Sequence, residues 1–270
     1  MNNDTWSLLD LNVGADEAEL VSDTLWSLGV VAIEEITAAD GRVVLRTSMG
    51  DDPVDAAERI RAVHPSARVD IVEHDRAVAD TWRRFAAPTA VTDTVSLVPA
   101  WCEPPSGITP VFVEPLDTFG LGNHPTTVLA LRLALTHAPA GSTVFDFGSG
   151  SGVLAVALAA VKGCDCIAHD IAASARRALV TNMELNNVTS CRWFDDVPAT
   201  PVDVVVANIL APVLESESAR ITGCLRPGGV LVLSGLRDEQ VHRVLGHYAG
   251  YTELTRESAE GWCAVALRKD

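Results

Sequence analysis

Residues 144–160 read VFDFGSGSGVLAVALAA: an apolar run carrying Asp146, glycines at 148, 150 and 152, then a second apolar run. A strand that hands over to a helix through alternating glycines lacks Cβ atoms where the chain turns, which leaves room for a ligand against the backbone. Spacing excludes three other glycine turns. A phosphate-cradling G-x-x-x-x-G-K-[ST] loop would need a Lys-Ser or Lys-Thr pair that does not follow here. A G-x-G-x-x-G dinucleotide turn starting at Gly148 would need glycine at 153, where Val153 stands, with Gly152 one place early. A G-x-S-x-G nucleophile elbow would need serine midway between Gly148 and Gly152, and Gly150 sits there. What is left is D-x-G-x-G-x-G, opening at Asp146.

Outward from this turn the pattern is regular. Strands are predicted near 143–147, 165–170, 202–207 and 229–234, and helices near 151–162, 172–186, 212–225 and 238–249. Near-continuous apolar strands between helices predict a parallel sheet covered on both faces. "YTELTRESAE" followed by "GWCAVALRKD" predicts a closing antiparallel hairpin. In an open sheet of this kind ligands bind at the carboxyl ends of the strands, where the glycine turn lies. Asp170 ends the next strand, close to the roughly 20 residues from a glycine turn that set a carboxylate on a ribose diol. Glycines with no lysine after them suit a ligand that carries little or no phosphate.

Before residue 88 the texture differs. "TWSLLDLNV" alternates like a strand, "DEAELVSDTLWSLG" has helical spacing and a terminal Gly29, and "VVAIEEI" and "GRVVLRTSM" read as strands joined across an Asp40-Gly41 turn. "PVDAAERIRAVH" is a second helix and "ARVDIVEHD" a further strand. This β-α-β-β-α-β order is that of a small ferredoxin-like unit. It holds no cluster of ionisable residues with a chemical spacing, so a recognition or assembly module is expected, with a structural cap as the alternative. "AVADTWRRFAAP" predicts a short connecting helix ending at Pro88. The expected division is 1–76 small domain, 77–88 linker helix and 89–270 large domain, the last opening with short strands broken by prolines.

Composition sets the class. The chain has 270 residues, 48% of them hydrophobic, and a formal charge of -16 from 36 acidic and 20 basic residues. Such a field repels phosphate backbones and favours a basic partner, so direct nucleic-acid binding is not expected. No stretch is apolar for 18 residues and no basic, apolar leader opens the chain, so no membrane association and a cytoplasmic location are expected. Six cysteines without C-x-x-C spacing read as reduced, buried thiols.

Three more stretches accompany the glycine turn: "DTFGLGNHPTT" (117–127), "VDVVVANILAPVL" (202–214) and "RPGGVLVLSGLRDEQ" (226–240). Together they resemble the PrmA family, the methyltransferases of ribosomal protein L11, closely from about Trp82 to Ser234 and more loosely before it. The resemblance implies an α/β fold, a Rossmann-like class I methyltransferase sheet with a closing hairpin, plus a small ferredoxin-like α+β N-terminal domain that grips a protein substrate. It implies S-adenosyl-L-methionine as cofactor and methyl transfer to lysine nitrogens, with the α-amino group as a further acceptor, of a basic partner, ribosomal protein L11. The alternatives are a lysine methyltransferase of a different protein, a small-molecule methyltransferase, and a non-catalytic adenosyl-methionine-binding factor.

Residue by residue, Thr127, Gly148, Asp170 and Asn208 match the family's cofactor-contacting positions, and Gly150 belongs to the same turn. Gly148 would admit the methionine portion and Asp170 would take the ribose hydroxyls. Asp146 would order the loop or meet the methionine ammonium through water. An ordinary acid at a helix start is the other reading of Asp170. Asn208 is the expected catalytic residue. A lysine amine, with a pKa of about 10.4 in water, must be neutral and have its N–H bonds accepted to aim its lone pair, and Asn208 offers a carbonyl for that. No metal is expected. His124 reads as a structural loop histidine, Cys164 and Cys166 as core residues on opposite faces of a strand, and Trp82 and Trp101 as buried anchors. Leu121 and His169 stand where the family usually has Thr and Gly.

Overall fold

The computed structural model describes residues 5–27, 30, 33–38, 40–47, 53–75, 86–116, 118 and 120–270, and the chain divides into two compact units, 1–86 and 87–270. The first runs β1 (Thr5–Val13), α1 (Ala18–Ser27), β2 (Ile33–Thr37), β3 (Val43–Thr47), α2 (Pro53–Val63) and β4 (Arg68–Asp75), with an antiparallel sheet in the order β2-β3-β1-β4. Alternation along β1 turns Leu9, Leu11 and Val13 into one core with Leu25, Ala57 and Ile60 of the helices. The β2–β3 turn is the Asp40-Gly41 pair. Gly41 takes a φ of 81°, and Asp40 Oδ1 accepts from the Arg42 amide at 3.0 Å. The expected linker helix and Trp82 lie outside the described residues, except for 86–88, which carry no regular element.

The second unit opens with a three-stranded sheet, β5 (Thr89–Ala90), β6 (Val95–Pro99) and β7 (Thr109–Val113), in that order. There follow α3 (Pro125–His137), β8 (Thr143–Phe147), α4 (Val153–Lys162), β9 (Asp165–His169), α5 (Ala173–Leu185), β10 (Cys191–Trp193) and β11 (Val202–Asn208). The chain continues through α6 (Ala211–Ser216), α7 (Ser218–Gly223), β12 (Leu225–Arg237), α8 (Val241–Leu245), β13 (Tyr251–Ala259) and β14 (Trp262–Lys269). The seven-stranded sheet has the order β10-β9-β8-β11-β12-β14-β13. β10 to β12 are parallel, and β14 and β13 close the sheet as the expected antiparallel hairpin.

One core cluster holds Leu129, Leu131 and Leu133 of α3 with the apolar length of α4; a second holds Phe145, Val205 and Leu214. Three expectations are corrected. The 212–225 helix is broken at Glu217, which leaves helical geometry at ψ 5° and splits it into α6 and α7. The 238–249 helix shrinks to a 3-10 turn at Asp238–Gln240 followed by α8. Helix α3 and strand β10 were not anticipated.

Candidate active site

Strand order reverses at β8, whose neighbours β9 and β11 lie on opposite sides, so the carboxyl ends of β8 and β11 flank the crevice where open α/β sheets take ligands. At the end of β8 the chain turns through Gly148 at φ 78°, a left-handed conformation. A Cβ there would come within 2.4 Å of Ile209 Cγ2, so only glycine fits beside the residue that follows Asn208. The Gly148 and Ser149 amides donate to the His169 carbonyl at 2.8 and 3.0 Å, which ties the turn to the end of β9. Gly148 therefore contributes space rather than a free donor.

Asp170 serves the turn as well as the helix behind it. Its Oδ2 accepts from the Gly150 amide and its Oδ1 from the Ala172 amide, both at 2.8 Å. The carboxylate is half-buried, and its oxygens keep further lone pairs beyond these two amide bonds.

Asp146 is 1% exposed. Its Oδ2 accepts from the Ala155 amide at 3.1 Å, whereas Oδ1 is buried with no hydrogen-bond partner. Burial, reinforced by the nearby Asp170 charge, pushes its carboxyl up to about 7 against the lowering by the Ala155 bond. A buried acceptor without a donor is costly, and here it sits in a glycine cradle at the ligand edge of a sheet. An ammonium reaching Oδ1 would supply the missing donor, so these residues fit the amino-acid end of the expected adenosyl-methionine.

Opposite the turn, Asn208 ends β11 in register with Ser234 of β12. Its Nδ2 donates to Thr127 Oγ1 at 3.4 Å, and Thr127 is 1% exposed near the start of α3. Ser234 Oγ donates to the Thr126 carbonyl at 2.9 Å, so two adjoining strands hold that helix start. Gly235 follows at φ 85°, where a Cβ would lie 2.2 Å from the Ile209 carbonyl oxygen. Asn208 and Thr127, 81 residues apart, thus meet, and Gly148 against Ile209 brings the turn after β8, with Asp146, Gly150 and Asp170, beside the end of β11.

His124 caps α3: its Nδ1 accepts from the Thr126 amide at 3.3 Å, and its ring stands edge-on to Trp262 at 5.0 Å. Burial, with the Arg237 cation nearby, lowers its pKa, which keeps the imidazole neutral in a capping role. Arg237 lies 3.7 Å over the Trp262 ring. Cys164 and Cys166 are buried as expected, but both belong to one core cluster, because residues two apart along a strand share a face. The expectation of opposite faces was wrong. His169, 7% exposed, packs among Phe145, Phe147 and Trp193 with Nδ1 3.1 Å from the Phe194 carbonyl, a core role. Leu121 and Trp101 are half-buried.

Two groups of residues were missed. Ile171, beside Asp170, is 94% exposed, and Phe194, just past β10, is 38% exposed. Large apolar side chains left bare at the carboxyl ends of adjacent strands suit a flat apolar ligand. Asn182 and Asn186, on and just after α5, hold the edge of β7.

The profile of the family described as ribosomal protein L11 methyltransferase (PrmA) matches residues 65–270. The chain belongs to the PrmA family. It is 31% identical to the ribosomal protein L11 methyltransferase of Janthinobacterium sp. (strain Marseille), over 97% of this chain and 96% of that one. It is 30% identical to that of Pseudomonas aeruginosa (strain LESB58), over 98% of each. The crystal structure of a ribosomal protein L11 methylase from Lactobacillus delbrueckii subsp. bulgaricus superposes with a TM-score of 0.63 and 24% identity, over 69% of this chain and all of that one, and shows the fold. This PrmA-family chain is an S-adenosyl-L-methionine-dependent protein methyltransferase on the class I sheet.

Proposed function

We propose that this chain methylates lysine side chains, and the α-amino group, of ribosomal protein L11 in the cytoplasm. In this reading residues 1–76 form a ferredoxin-like recognition domain, 77–88 a linker and 89–270 the catalytic domain. The observation that carries the chemistry is the buried, donor-less Asp146 Oδ1 in the glycine turn facing the crevice that Asn208 closes from the other side. The β4-β1-β3-β2 antiparallel order behind two helices supports the ferredoxin-like reading. Charge supports the partner: residues 1–86 carry 17 acidic and 8 basic residues, an excess that draws a basic protein.

Bound in the turn, the cofactor supplies an electrophilic methyl on a sulfonium. Asp146 and Gly148 would hold its amino-acid end and Asp170 its ribose, with Ile171 and Phe194 offering apolar surface to its base. Thr127 fixes the Asn208 carboxamide by accepting its N–H, which leaves the carboxamide oxygen to accept from the incoming amine. The residues' task is to desolvate the amine, favour its neutral form and aim it.

The test is transfer of labelled methyl from adenosyl-methionine to purified ribosomal protein L11 from the same organism, with acceptor sites mapped by mass spectrometry. Label on lysine and the N-terminus is expected, and is expected to be lost with Asn208→Ala. Label only on another protein of an extract would keep the chemistry and move the substrate. Cofactor binding with no transfer to any protein would refute the enzymatic reading.

A further inference from the structure

Asn182 is 1% exposed, although it stands on a helix whose neighbours at 176, 177 and 180 face water. Its Oδ1 accepts from the Glu114 amide at 2.7 Å, and its Nδ2 donates to the Glu114 carbonyl at 3.0 Å and the Ser151 carbonyl at 2.8 Å. Four residues on, Asn186 repeats the first pair with Phe112, accepting at 2.8 Å and donating at 2.7 Å.

The match is geometric. Residues four apart on a helix are separated by about 6 Å along its axis, and residues two apart on a strand by about 6.6 Å, with their amides and carbonyls on one edge. Two carboxamides thus stand in for a neighbouring strand along β7.

The third bonds differ: Asn186 Nδ2 donates to the Asn182 carbonyl at 2.8 Å, within its own helix, whereas Asn182 grips the glycine turn at Ser151. Ser151, fully buried, donates its hydroxyl to the Gly120 carbonyl at 2.7 Å. Gly150 of the same turn is bonded to Asp170, just before the helix that carries Asn182. Glu114 leads into Leu116, which is held at φ 50°, a left-handed conformation costly for leucine that persists only where its surroundings fix it. Asp170, Gly120 and Asn182 thus each bond to the glycine turn, at Gly150, at the Ser151 hydroxyl and at the Ser151 carbonyl, and Asn182 ties Glu114 to the same place.

We infer that Asn182 is a positioning residue for methyl transfer: by holding Glu114 and Ser151 in one carboxamide, it fixes the glycine turn against the end of β7. Asn186, among the described residues, docks the strand and its own helix end rather than the turn. The inference rests on the cofactor assignment of the turn.

The experiment compares Asn182→Ala, Asn186→Ala and Ser151→Ala with the wild-type chain for S-adenosyl-homocysteine binding by calorimetry, for melting temperature and for the split between kcat and KM. Asn182→Ala is expected to bind about tenfold more weakly, the worth of one buried hydrogen bond, with kcat lowered as well. Asn186→Ala, which breaks as many bonds to β7, should melt comparably early yet bind within about twofold of wild type. Ser151→Ala removes the other tie with little change of volume and should weaken binding in the same direction, so it decides the matter if Asn182→Ala does not fold.

Wild-type binding in Asn182→Ala or in a folded Ser151→Ala, or equal weakening by Asn186→Ala, overturns the inference. A wild-type chain that binds no S-adenosyl-homocysteine instead overturns the cofactor assignment, a different failure from a variant that binds like wild type.

Discussion

In the proposed assignment the Asp146 carboxyl, pushed up to about 7 from an ordinary 3.8, would make cofactor binding a proton-release reaction. In the free protein the folded state keeps this proton between about pH 4 and 7 while the unfolded chain gives it up, so folding stability falls as pH rises through that window. At roughly 1.4 kcal/mol per pH unit over about three units, the cost at pH 8 is on the order of 4 kcal/mol. An ammonium at Oδ1 favours the carboxylate, so binding releases about half a proton at pH 7 and the affinity rises about tenfold from pH 6 to 8, levelling above.

Calorimetric titration with S-adenosyl-homocysteine, in buffers of different ionisation heat, reads both quantities directly. Asp146→Asn should bind more weakly, lose the pH dependence and be the more stable apoprotein at pH 8. A wild-type affinity flat between pH 6 and 8, or a slope that survives in Asp146→Asn, would refute the reasoning.

Asn208→Ala should lower kcat about 100-fold, the scale seen when one preorganised polar contact to a reacting group is removed, while the fold stays intact by circular dichroism. Unchanged turnover would remove Asn208 from the chemistry. Gly235→Ala should destabilise by more than about 2 kcal/mol in urea unfolding, because the added methyl meets the Ile209 carbonyl at 2.2 Å and the φ of 85° resists any L side chain. A variant as stable as wild type would show that the Asn208–Ile209 segment yields freely.

The glycine turn was legible because its physical demand is local: a strand, a helix and a chain reversal that only glycine fits. The parallel strands were legible for a similar reason, since the run Val204–Ala207 within β11 is apolar on both faces and reads the same whichever strand lies beside it. Helix α3 was not, because "PTTVLALRLALTH" is buried over most of its surface and has no clear polar face to set the period. Glu217 gave no sign that it would break a helix, having neither glycine nor proline beside it. Asp170 kept two readings open because a ligand acid and a helix-start acid look alike in one dimension, and in the fold it bonds both the glycine turn and the amide ahead of α5. Asn182 was invisible: an amide in a helix looks solvent-facing, and its burial depends on Glu114, 68 residues away.

Every described residue argued above to line the cofactor site lies in 114–235, within the second unit, while the acidic excess is densest in the first. The two halves of the proposed task, holding the methyl donor and choosing its recipient, are therefore written in separate stretches of sequence. Mutations that re-aim the enzyme at a new protein can accumulate in residues 1–86 without touching one contact of the donor site. In the proposed division of labour, an engineer who wants a new target has residues 1–86 to rewrite.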